Sequence, residues 1–141
     1  MTPLAPGLPD LSLDSASTFL AAAGLEMTEV SGARVVGHFE LGSQHHTPWG
    51  VVHGGVYTTA VESAASVGAT AAVADKGQSA VGLHNATDFL RASNGGRADV
   101  LATPLQQGRT QQLWLVVITR EDGKELARGQ VRLQNVDRQA D

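Results

Sequence analysis

His53 is followed by a glycine pair, Gly54 and Gly55, and then, within residues 54–74, by a run of small and apolar residues that holds a single charge, Glu62. The composition of this run reads as one long helix opening at the glycines. The first N–H groups of a helix have no internal partner and sit at the positive end of its dipole. They suit an anion, or a carbonyl that develops negative charge. A helical glutamate is usually solvated. Here, however, Val56, Ala60, Val61, Ala64, Ala65, Val67, Ala71, Ala72 and Val73 point around most of the circumference, so the helix is expected to be buried on nearly all sides. A carboxylate there is costly unless paired or used. Polarising amides and one isolated carboxylate are the parts of a simple acyl-transfer site.

The flanking elements must hold this helix. Residues 1–14 are rich in Pro and Gly and read as a flexible N-terminal segment, with one domain over residues 15–141. A short helix follows, capped by Ser15 or Ser17 and ended by Gly24. Residues 25–30 and 33–41 alternate as strands about a Ser31-Gly32 turn, and residues 42–52 form a polar loop. Beyond the long helix, strands are expected over residues 79–90, 97–105, 110–119 and 124–136, separated by turn residues such as Glu121-Asp122-Gly123. Short turns imply antiparallel neighbours. The two faces of the strand carrying Trp114 both look covered. An Ala-rich helix without a polar face calls for a curved sheet wrapped round it. The sheet edges then invite pairing with a second copy.

Composition narrows the possible partners. The chain has 141 residues, 42% hydrophobic and 17% charged, which suits one globular domain. A net charge of −4 gives no footprint for nucleic acid or an anionic membrane. With no cysteine, neither a disulfide nor a thiolate site is possible. The start of the chain lacks the features of a signal peptide, and the helix is too rich in Ala, Gly, Ser and Thr for a membrane span. A cytoplasmic protein is expected. His45, His46, His53 and His84 show no helical i, i+4 pair, so no metal is expected.

Gly50-Val-Val-His-Gly-Gly-Val56, with Glu62 and Ser66 downstream, resembles the hotdog-fold acyl-CoA thioesterases. The likeness is to the branch holding phenylacetate-pathway thioesterases, Arthrobacter-type 4-hydroxybenzoyl-CoA thioesterase and 1,4-dihydroxy-2-naphthoyl-CoA hydrolases. It extends to Val81-Gly-Leu83 and to Pro104-Leu-Gln-Gln-Gly-Arg-Thr-Gln-Gln-Leu-Trp114. The resemblance implies an α+β hotdog fold, a long central helix wrapped by a curved antiparallel sheet. It implies Glu62 as nucleophile or general base and Gly54 as the glycine whose N–H polarises the thioester carbonyl, with His53 before it. Ser66, one turn from Glu62, matches a residue that places the water. Around the acyl group it implies Thr47, where relatives carry Gln, together with Gly55, Leu90 and Phe89, which stands where some relatives place His. Coenzyme A contacts are implied at Gly82, Arg91 and Gln106, Gln107, Gly108, Arg109, Thr110 and Gln111. Arg91 and Arg109 read equally well as surface charges.

Spacing adds an inference of its own. Gly54 and Glu62 lie eight residues apart, roughly 12 Å along one helix at about 1.5 Å per residue. Attack needs reacting atoms within about 3.5 Å, so one site must join Gly54 of one copy to Glu62 of another. A homodimer is expected, and a homotetramer built as a dimer of dimers, hydrolysing an aromatic or medium-chain acyl-CoA without a cofactor. The alternatives are a non-catalytic acyl-CoA-binding hotdog protein and a hotdog hydratase or dehydratase. The Asp and His that the latter place on one segment are not found.

Overall fold

The structure, a computed structural model, describes residue 8 and residues 16–138. The expected flexible segment 1–14 and the Ser15 cap therefore lie outside the described residues, except for Leu8, which is half-buried against the core. Helix α1, Thr18–Ala23, starts where the Ser17 hydroxyl accepts the Leu20 N–H at 3.2 Å. It ends at Gly24, whose φ of 77° is the left-handed conformation that closes a helix without a Cβ penalty. Strands β1 (Glu26–Ser31) and β2 (Arg34–Leu41) form the first hairpin. A single 3-10 turn, Ser43–His45, leads toward α2, Gly54–Val73. Strands β3 (Gln78–Phe89), β4 (Gly96–Gln107), β5 (Gln111–Arg120) and β6 (Glu125–Asp137) complete the chain.

All strand pairs are antiparallel, in the order β1-β2-β4-β5-β6-β3, which leaves β1 and β3 as edges. Helix α2 touches every one of the six strands. A flat sheet of that size spans about 24 Å at ~4.8 Å per strand, whereas a helix is only about 10–12 Å across. The sheet must therefore curl about the helix, as the sequence leads one to expect.

The seam is closed by small residues meeting large ones. Trp114 is fully buried, and a Cβ on Gly68 would lie 2.5 Å from its ring. The glycine in mid-helix is what lets the indole lie on the α2 backbone. Tyr57, Ala60, Val61, Ala64, Ala65 and Ala69 continue the buried stripe at helical spacing. The remaining face of α2, including Glu62, Ser66 and Val67, is only half-buried. This corrects the expectation of burial on nearly all sides, because even a curled sheet leaves one face of the helix partly uncovered. Likewise only the Gln112, Trp114, Val116 and Ile118 face of β5 is sealed, and Leu113, Leu115 and Val117 opposite are half-buried.

Candidate active site

The start of α2 is built by His53. Its ring Nδ1 accepts the Gly55 N–H at 2.8 Å, and its carbonyl accepts the Val56 N–H at 3.0 Å. The Gly54 N–H, by contrast, donates to no group among the described residues. It is the amide left free at the positive end of the dipole. Phe89 closes over it, and a Cβ at position 54 would be 2.7 Å from the Phe89 ring. His45 holds the approach loop in place. Its Nδ1 accepts the Gly42 N–H at 3.2 Å, its Nε2 lies 2.8 Å from the Ala22 carbonyl, and its own carbonyl accepts the His53 N–H at 2.8 Å. That pattern puts the ring proton on Nε2 and ties α1 to the start of α2. Thr47 shapes the turn before it, its hydroxyl accepting the Trp49 N–H at 3.2 Å.

A cleft of about 820 Å³ opens beside Gly54, walled by Phe19, Ala22 and Ala23 of α1 and by Val56, Thr59 and Phe89. A smaller cavity of about 260 Å³ also borders Gly54 and Phe89, lined in part by Tyr57, Leu90 and Arg91. Arg91 donates to the Glu125 carbonyl at 3.0 Å. Tyr57 was not singled out from sequence because its spacing on α2 marks it as core. Its hydroxyl is buried without a hydrogen-bond partner. Burial pushes its pKa up, partly offset by the nearby Ser93 hydroxyl, which lies close without reaching hydrogen-bond geometry.

Glu62 sits two turns further along α2, facing β3. Its Oε2 is buried without a hydrogen bond, and its Oε1 would be 2.7 Å from a Cβ placed on Gly82. Burial raises the carboxyl pKa. Register slips in β3 between Gly82 and His84, a bulge beside the carboxylate. Ser66 is half-buried one turn beyond on the same helix, with no hydrogen bond to Glu62.

The positions singled out from sequence thus fall into two sets. His53, Gly54, Gly55, Phe89, Leu90 and Arg91 gather at one end of the sheet, where the Leu126 carbonyl accepts the Leu90 and Arg91 N–H groups. Gln107, Gly82 and Glu62 gather toward the other, with Gln107, Gln112, Leu133 and Gly82 paired successively across four strands. Gly108, Arg109 and Thr110 project as a turn beyond that row, bound to Asn135. From Leu126 to Asn135 is nine residues of β6, roughly 30 Å at about 3.4 Å per residue. Within one chain the two sets stand apart. Among the described residues, no three His, Cys, Asp or Glu side chains are grouped to hold a metal ion.

One long helix packed on a curled six-stranded antiparallel sheet is the architecture of the hotdog thioesterases. Residues 50–127 match the thioesterase superfamily, and the chain belongs to that family. It is 43% identical over 116 residues to the esterase candidate Rv1847 of Mycobacterium tuberculosis, covering 81% of this chain and 83% of that one. The solved structure of that protein superposes with a TM-score of 0.84 at 41% identity, covering 88% of this chain and all (100%) of that chain. A 1,4-dihydroxy-2-naphthoyl-CoA hydrolase of Listeria monocytogenes is 30% identical over 103 residues, covering 73% and 83% of the two chains. The chain is an enzyme of the thioester hydrolase class.

Proposed function

We propose that the protein hydrolyses an acyl-CoA thioester to the carboxylic acid and free coenzyme A, and that its acyl group is aromatic. The observation that carries this reading is the Glu62 carboxylate, half-buried with one oxygen lacking any partner. Such a group is destabilised by its surroundings and gains by taking a proton or bonding to carbon. Acting as base, Glu62 takes a proton from water while the hydroxide adds to the carbonyl. The tetrahedral intermediate expels the thiolate, which takes up the proton. Acting as nucleophile, it forms a mixed anhydride that water then opens. In both routes the Gly54 N–H holds the developing oxyanion, and Ser66, one turn from Glu62, orients the water.

Each site joins Gly54 of one copy to Glu62 of a second. Val81, Leu83, Phe89 and Leu90, between 45% and 56% exposed along and just past the unpaired edge strand β3, support such a dimer. Leu101 and Leu105, exposed on the outer sheet face, support a dimer of dimers. The apolar cleft beside Gly54 has a volume ordinary for a small-molecule pocket, and the naphthoyl-CoA substrate in the Listeria relative's name favours a ring. The cytoplasmic setting expected from sequence goes with such a substrate.

The test is a panel of aromatic and straight-chain acyl-CoAs incubated with the protein and a thiol-trapping reagent. Free coenzyme A should be released fastest from an aromatic member. Binding without release would favour a non-catalytic acyl-CoA protein. Hydration of an enoyl-CoA without thiol release would favour a hydratase.

A further inference from the structure

One residue holds three successive carbonyls of the turn between β4 and β5. The Asn135 backbone N–H donates to the Thr110 carbonyl at 2.8 Å. Its side-chain NH₂ donates to the Gly108 carbonyl at 3.2 Å and to the Arg109 carbonyl at 3.1 Å. The orientation of that amide is itself determined. Gln112, 1% exposed, accepts the Trp114 N–H at 2.9 Å and donates to the Ala69 carbonyl at 2.9 Å. Trp114 can only donate and a carbonyl can only accept, so the Gln112 amide has one possible orientation. Its NH₂ then points at Asn135 Oδ1, 2.8 Å away, which leaves the Asn135 NH₂ for the turn.

A trans peptide sets each carbonyl opposite the N–H of the next residue, and the described residues contain no cis bond. With the Gly108 and Arg109 carbonyls drawn inward, the Arg109 and Thr110 N–H groups face outward. Neither donates to any group among the described residues, and the exposed Arg109 side chain makes no ion pair among them. Two free amides beside a guanidinium are a phosphate receptor in miniature.

We propose, resting on the acyl-CoA reading above, that Asn135 is a positioning residue. Backed by Gln112, it turns the β4–β5 turn so that its amides and Arg109 receive the phosphates at the nucleotide end of coenzyme A. Asn135→Asp keeps the shape and the contact to Gln112 but sets a carboxylate against two carbonyls, so the turn must swing out. Asn135→Ala removes both side-chain ties and leaves only the backbone N–H on the Thr110 carbonyl.

Both variants, checked for folding by thermal melting, are assayed on an acyl-CoA and on the matching acyl-pantetheine. KM for the acyl-CoA should rise about tenfold, the scale of losing one charge-assisted contact. The kcat and the KM for acyl-pantetheine should not move. Calorimetry with 3′-phosphoadenosine 5′-diphosphate alone should show a similar loss of affinity. An equal KM change on both substrates, no change in either measurement, or failure of both variants to fold would each overturn the assignment. The calorimetry stands apart from turnover. Wild-type protein that binds the nucleotide but cleaves no thioester would sink the proposed activity and leave Asn135 judged on affinity. Wild-type protein that cleaves acyl-CoA but binds no nucleotide and shows no KM split would sink the role of the turn.

Discussion

The Glu62 carboxylate rests on the bare backbone of Gly82, so that a methyl group there would sit 2.7 Å from Oε1. The pair meets at the β3 bulge, and the carboxylate is the movable partner, at the end of a flexible side chain. Gly82→Ala should therefore displace Glu62 without unfolding the sheet. Overpacking costs typically about 1–3 kcal/mol, and a misplaced reacting group should lower kcat about 10- to 100-fold. Unchanged kcat with an unchanged melting temperature would show that the carboxylate need not lie there.

Replacing Glu62 by Gln should keep the fold and lower kcat by on the order of 10³-fold or more. A variant retaining more than about a tenth of the rate would assign the chemistry to another group.

The raised pKa of Glu62 gives two pH signatures of definite sign. Hydrolysis needs the ionised carboxylate, so kcat/KM should fall as pH drops through a pKa above the ordinary glutamate value of about 4.3. For stability, burial raises the folded-state pKa above the unfolded one. The stabilising difference is present below the unfolded pKa and is lost as pH rises through the folded pKa. Glu62→Gln should then be more stable than the wild type near neutrality, by a margin that shrinks in acid. Denaturant midpoints across pH measure this, and a margin independent of pH would contradict the burial argument.

Gly54 allows the amide to be separated from the space around it. Gly54→Ala keeps the N–H but sets its methyl 2.7 Å from the Phe89 ring. Gly54→Pro also removes the N–H, and the His53 backbone at φ −67°, ψ 134° already suits a following proline. The proline variant should lose a further 10²- to 10³-fold or so in kcat, the scale of one oxyanion donor. Mixed with Glu62→Ala protein and co-refolded, it should recover activity, since one site of the mixed dimer carries neither lesion. Mixed dimers that form and stay inactive would place both groups in one chain's site.

Gly68→Ala pits helix propensity against packing. Alanine gains about 1 kcal/mol in a helix interior, but its methyl would lie 2.5 Å from the Trp114 ring and 2.9 Å from Val35. Between helix backbone and a fully buried indole nothing can give cheaply, so the variant should be less stable by about 1–3 kcal/mol. A higher denaturation midpoint would show the seam to be loose.

Much of the architecture was legible because local and long-range signals agree. The long helix, expected over residues 54–74, spans Gly54–Val73, and each later strand begins and ends within two residues of its expected place. Glu62 stood out because a lone charge in an apolar run is costly to keep unless it is used. Asn135 did not, since a polar residue near a strand end is unremarkable until strand register brings Gln112 beneath it. The separation of Arg91 from Arg109 was hidden for the same reason. Both lie near strand ends, and only the pairing through β6 shows that the ends are opposite ones.

The two tryptophans occupy opposite extremes, Trp114 at 0% and Trp49 at 85% exposure. An indole in a dry core emits at shorter wavelength than one in water, so the protein carries two spectrally separable reporters. Acrylamide should quench the red component from Trp49, which sits on the loop entering α2, and spare the blue component from Trp114. Ligand or partner arriving at the Gly54 end should shift the first while leaving the second unchanged until the chain unfolds. Occupancy and folding can then be read in one titration without a label.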